Sequence, residues 1–218
     1  MLNSKKRTRE HARARRLLER RLRRLSNATS RDPDRATPAP RLTIAIGGAG
    51  AQADRVRILL ERLAPLLNRD RLRLALVAGT DAALARTFAR WISAARLQGA
   101  VDVVHARGFL DVYRQFNDLL ADTDVLWTKP SELVFYAALG LPVILDDPVG
   151  HHEWHNRRWL IASGAGIERP DPTQVERWLV RQLDRGTYVE AASRGFDALP
   201  RTGVHRIADS LQSEFTDR

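Results

Sequence analysis

Arg41-Leu42-Thr43-Ile44-Ala45-Ile46-Gly47-Gly48-Ala49-Gly50-Ala51-Gln52 is the stretch that decides the fold. An apolar run of strand length ends in a glycine cluster. The residues after it carry Val56, Leu59, Leu60, Leu63, Leu66 and Leu67 as one stripe at the helical period. Strand, tight turn and amphipathic helix in that order predict the opening unit of a parallel sheet with helices on its faces. Small residues at such a turn let the backbone approach a ligand, and the helix start offers free N–H groups and the positive end of a dipole to anionic oxygen. The same glycines also suit a plain strand-to-helix turn; their place after the first strand favours the ligand loop.

Further apolar runs follow at Leu72–Val77, Val101–Val104, Val125–Trp127 and Val143–Leu145, with a weaker one at Gly166–Glu168. With Leu42–Ile46 they predict about six strands. Leu84, Phe88, Trp91, Ile92 and Ala95 form a second helical stripe, and Asp171-Pro172 reads as an N-cap with proline opening a helix that carries Val175, Trp178, Leu179 and Leu183. The expected fold class is α/β: a doubly wound, Rossmann-like parallel sheet with helices on both faces, spanning 41–218. Trp127, Trp159 and Trp178 are assigned to packing.

Upstream, the net charge of +10 is unevenly placed: residues 1–40 hold 13 Lys and Arg against 4 Asp and Glu, and residues 41–218 hold 23 against 22. The folded part therefore has no overall excess that favours a polyanion. Residues 1–40 read as a basic tail, an Arg-rich helix over 5–25 with Leu17, Leu18, Leu22 and Leu25 on it, followed by a Pro- and Ser-rich linker. There is no cysteine, no signal-peptide pattern and no apolar stretch of membrane-spanning length. The expected setting is cytoplasmic, with peripheral contact at the inner membrane face as one role for the helix; connection to another domain and a companion polypeptide are the others, and nucleic acid ranks below these.

Three other segments carry candidate chemistry. Gly48 to Ala53 fits G-x-G-x-x-A, but the second strand ends in Ala78-Gly79-Thr80 with Asp81 only after the turn, which counts against a dinucleotide site. His151-His152-Glu153-Trp154-His155-Asn156 has Asn156 where the zinc-protease spacing needs histidine, so no metal is expected. Thr128-Lys129-Pro130-Ser131-Glu132 follows the fourth strand and precedes a helix over 133–139, with Lys129 able to neutralise phosphate and Ser131 or Thr128 as cap.

In order, Gly47–Gln52, Gly108-Phe109, Thr128-Lys129-Pro130 and Leu139-Gly140-Leu141-Pro142 followed by Pro148–Asn156 resemble the C-terminal donor domain of B-type (GT-B) glycosyltransferases. The nearest likeness is to the group of monogalactosyldiacylglycerol synthase, the diacylglycerol glucosyltransferases and the lipid II N-acetylglucosaminyltransferase, over roughly 41–185. The resemblance implies that Gly48, Ala49, Gly50 and Gln52 hold the donor diphosphate, that Phe109 caps the base, and that His152 and Glu153 meet the sugar, with Lys129 and Ser131 on the same edge. The family's ribose-binding glutamate falls at Phe135, so Glu132, one turn earlier, is the candidate in its place.

The implied activity is inverting hexosyl transfer from a UDP-sugar, with the nucleotide sugar as substrate and no cofactor. Retaining members pair two glutamates with seven residues between them, and the partner position for Glu132 is Gly140. The acceptor site and general base of this family lie in an N-terminal domain that this sequence lacks, so no catalytic residue is assigned and the chain alone is expected to be inactive. The alternative is a non-catalytic nucleotide or nucleotide-sugar sensor whose basic tail binds RNA or a protein.

Overall fold

The computed structural model describes residues 2–28, 37–45, 53–131, 133–148 and 150–201. A long helix, α1 (Leu2–Ser26), precedes six strands: β1 (Arg41–Ala45), β2 (Arg73–Gly79), β3 (Val101–His105), β4 (Val125–Thr128), β5 (Val143–Leu145) and β6 (Gly166–Glu168). They form one all-parallel sheet in the order β3-β2-β1-β4-β5-β6. Each apolar run of the sequence is a strand with ends no more than two residues from those expected; Ile46, expected to close β1, lies outside the described residues. The chain winds outward from β1 to β3 and then crosses back to β4. Strand order thus reverses between β1 and β4, where an open parallel sheet leaves a crevice at its carboxyl edge.

The helices between the strands are α2 (Ala53–Leu67), α3 (Ala82–Ala94), α4 (Phe109–Asp122), α5 (Leu133–Ala138) and α6 (His151–Ala162), with α7 (Val175–Asp184) and α8 (Thr187–Ala198) after β6. The α2 stripe read from the sequence is buried throughout, with Leu59 and Leu63 fully covered against Leu42, Ile44 and Leu76 of the sheet. Each such side chain contributes roughly 1.5–3 kcal/mol by leaving water. Asp171 caps a single 3-10 turn, Pro172–Gln174, by accepting from the Thr173 N–H at 2.8 Å, and the turn leads into α7. Trp127 is fully buried and Trp178 packs edge-on against Tyr188, but Trp159, expected in the core, is 41% exposed because it lies on the outer face of α6.

α1 packs on the domain. Ala14 and Leu18 are buried with Ala192 and Phe196 of α8, and Leu25 joins the main core. The approach is close enough that a Cβ on Gly140 would stand 2.6 Å from the Leu18 side chain, and Gly140 also holds φ +69°, so two reasons require glycine there. Two arginines anchor the helix at the amino edge of the sheet. Arg21 is buried and donates through Nε to Thr123 O (2.9 Å) and through Nη1 to Leu139 O (3.1 Å) and Gly140 O (2.9 Å). Arg24 donates to Asp124 at 2.8 Å and also to Asp122, while Asp124, fully buried, accepts the Arg41 backbone N–H at 2.8 Å. Burial pulls the Arg21 guanidinium down to about 10 and pushes the Asp124 carboxyl up.

Candidate functional site

The carboxyl edge carries most of the residues singled out in the sequence. β1 ends at Ala45 and β4 at Thr128, neighbours in register, and the Thr128 hydroxyl donates to Ala45 O at 2.9 Å. That bond corrects one expectation, because a Thr128 hydroxyl held by β1 does not cap α5. The connection between Ala45 and Ala53 starts and finishes at the strand-order reversal, and Gly48, Ala49, Gly50 and Gln52 within it lie outside the described residues. So does Glu132.

Phe109 opens α4 behind Gly108 and is 73% exposed. With Ala45, Gly79, Thr80 and Asp81 it lines a cavity of about 340 Å³ at the carboxyl ends of β1 and β2. This is the size range of small-molecule sites. Its walls combine an aromatic face with main chain at the end of β2, a setting suited to a flat base. Asp81, the acidic residue nearest the end of β2, has its Oδ1 accepting the Ala83 and Leu84 N–H groups at 2.9 Å each, so it serves α3 as N-cap.

Lys129 follows β4 on the same edge, half-buried. Ser131 is exposed, and Asn156 of α6 donates to Pro130 O and Ser131 O at 3.1 Å each, which ties the segment after β4 to α6. α6 starts behind Gly150, and the ring of His152 lies against that glycine, 3.0 Å from where a Cβ would be. His152 is exposed whereas Glu153 is buried, since neighbours on a helix point about 100° apart. The two expected sugar contacts therefore occupy different environments. Among the described residues no group of three or more His, Cys, Asp or Glu is placed to hold a metal ion, and no helix is long and apolar enough to cross a membrane.

Sequence reading missed a cluster beside these residues. Asp146, fully buried, and Asp147 follow β5; Arg55 from the first turn of α2 bonds both, and Arg169, after β6, reaches Asp147 at 3.0 Å and Asp146 at 3.3 Å. Asp146 Oδ2 has no hydrogen-bond partner among the described residues. The hydrogen bond from Arg169 holds the Asp147 carboxyl below the usual carboxylate range. The cluster pins the start of α2, immediately after the glycine loop, to the start of the segment leading into α6. Its sequence signal is the consecutive Asp146-Asp147 closing an apolar strand, although the arginine partners are far away in the chain.

No protein-family model and no curated protein sequence matches the chain. Solved structures do. A protein described as a UDP-N-acetylglucosamine 2-epimerase from Listeria monocytogenes superposes with TM-score 0.62 at 11% identity, over 89% of this chain and 51% of its own. MurG of Acinetobacter baumannii gives 0.57 at 16% identity over 83% and 51%, and the Anabaena protein HepE, solved with UDP and glucose, gives 0.52 at 16% over 81% and 49%. The fold is that of one GT-B domain. The chain spans about half the length of these neighbours.

Proposed function

We propose that this GT-B domain is the donor-nucleotide half of a glycosyltransferase, binding a UDP-sugar for inverting hexosyl transfer, with the acceptor and general base supplied by a further domain or a companion polypeptide. The observation that carries the reading is the cavity lined by Phe109 at the carboxyl ends of β1 and β2, where Ala45 leads into the glycine-bearing β1–α2 connection. A uracil ring stacks on Phe109 there. The diphosphate then falls on the N–H groups of Gly48, Ala49 and Gly50 with Lys129 beside it, and the sugar extends toward His152 and Glu153.

Displacement at the anomeric carbon leaves charge on the diphosphate. Backbone N–H groups of the glycine loop and a lysine cation stabilise that charge as it develops, without a metal or cofactor. The solved complex of HepE with UDP and glucose supports the choice of ligand class.

The test is thermal stabilisation by UDP, GDP, ADP, NAD and their sugar conjugates, since a ligand at 100 times its Kd adds about 2.7 kcal/mol to the folded state. A shift with UDP that weakens about tenfold in affinity in Phe109→Ala, through lost stacking, and disappears in Gly50→Asp supports the reading. A shift with NAD alone, or none with any nucleotide, ends it.

A further inference from the structure

Away from the donor cavity, α1, the second half of α4 and the end of α5 enclose an open groove of about 480 Å³. Its walls are mainly apolar, with Leu17 of α1, Leu120 of α4, Tyr136 of α5 and Leu139 just after it, and Glu10 of α1 is the one acidic residue among the described residues that line it. Along its outer rim Arg9, Arg13, Arg16 and Arg20 recur at i, i+4, i+7 and i+11, a single exposed stripe of α1. Arg13 itself lines the groove, and Arg20 donates to Ala121 O at 2.5 Å across it. A second row leads in from α4, where Leu110 and Tyr113, 68% and 54% exposed, share a face with Asn117 and Ala121 of the groove wall. Phe135, another wall residue, is 63% exposed.

We propose that this groove and its arginine rim form a docking site for an anionic membrane lipid, with the lipid phosphate against the arginine row and an acyl chain along the apolar channel. Charge complementarity selects the occupant. The rim calls for a polyanion or an anionic headgroup, and the channel beside it calls for hydrocarbon; one ligand class supplies both. A nucleic acid uses the arginines and leaves the channel empty. The stripe that an isolated α1 would offer a membrane is not available, because Leu18 and Leu25 are buried in the domain. The apolar contribution falls instead to the groove and to Leu110, Tyr113 and Phe135, which sit where side chains enter an interface. Stable membrane attachment takes two such signals together, a polybasic row and buried hydrocarbon.

The experiment is co-sedimentation of the full chain with vesicles of phosphatidylcholine alone and of phosphatidylcholine mixed with phosphatidylglycerol, in parallel with a binding titration of single-stranded RNA. The expected result is binding to the mixed vesicles only, weakened about tenfold or more by Arg13→Glu with Arg16→Glu and about tenfold by Leu110→Asp with Phe135→Asp, both pairs melting as the parent does. Absence of binding to mixed vesicles overturns the proposal. So does binding that the arginine pair abolishes and the apolar pair leaves unchanged, or RNA binding that the vesicles do not displace.

Discussion

Arg21→Met isolates what fastens α1 to the domain. Methionine keeps an apolar stem of similar reach and removes the guanidinium, and with it the bonds to Thr123 O, Leu139 O and Gly140 O. Bonds from a charged donor contribute about 1.5–3 kcal/mol each. Burial acts in the opposite direction: desolvation pulls the guanidinium down from its ordinary value to about 10, which at about 1.4 kcal/mol per pH unit opposes docking by roughly 3 kcal/mol. The bonds win by a modest margin, and the variant also leaves three carbonyls without their donor, so the expected loss is about 2–4 kcal/mol. Urea unfolding followed by circular dichroism reads this as a lower midpoint at unchanged slope. A midpoint equal to the parent's would mean that water reaches these carbonyls as readily as Arg21 does, and the argument for α1 as an anchored element would be refuted. A reduced slope would mean that α1 has left the domain and that less surface is exposed on unfolding.

Three further expectations rest on single contacts. Gly195→Ala should destabilise by about 1–3 kcal/mol, because the new Cβ would stand 2.5 Å from Ala137 O where α8 crosses α5; a melting temperature equal to the parent's refutes that crossing. Leu63→Ala, at a fully buried position between α2 and the sheet, should lower unfolding free energy by about 2–5 kcal/mol in the same urea assay. Asp147 is held below its ordinary value by Arg169, so its contribution is complete above about pH 4 and is lost as pH falls through the lowered folded value. Asp147→Asn should flatten that part of the acid stability profile by less than about 1 kcal/mol, the carboxylate being half exposed, and a profile unchanged in shape would remove the pair from the account.

The sheet was legible because its strands are short apolar runs between turn residues, and α2 because its stripe has the helical period and no competing pattern. Burial alone dictates both. The standing of α1 in the fold was not legible in the same way. A run of arginines reads as a solvated surface, and the carbonyls and carboxylates that make Arg21 and Arg24 interior residues lie about 100 positions further on. Phe109 was singled out only through the resemblance, as the aromatic that follows a glycine, and the structure places it at the start of α4 in a cavity with the end of β2. Arg55, Asp146 and Arg169 were not found, since nothing local brings α2, β5 and the segment after β6 together. Trp159 failed for a related reason: α6 has no single apolar face, so a tryptophan on it carries no information about which side is covered.

The close fit of Leu18 over Gly140 and against Phe196 has a bearing on how the chain is made. α1 leaves the ribosome well before α5 and α8, which supply the surfaces that receive it. At about 5–20 residues per second, roughly ten to thirty seconds of synthesis separate the emergence of Leu18 and Leu25 from the arrival of α8. Through that interval an amphipathic, cationic helix stays without its partner, open to chaperones, to other nascent chains and to any anionic surface near the ribosome, so α1 is made long before it can find its place.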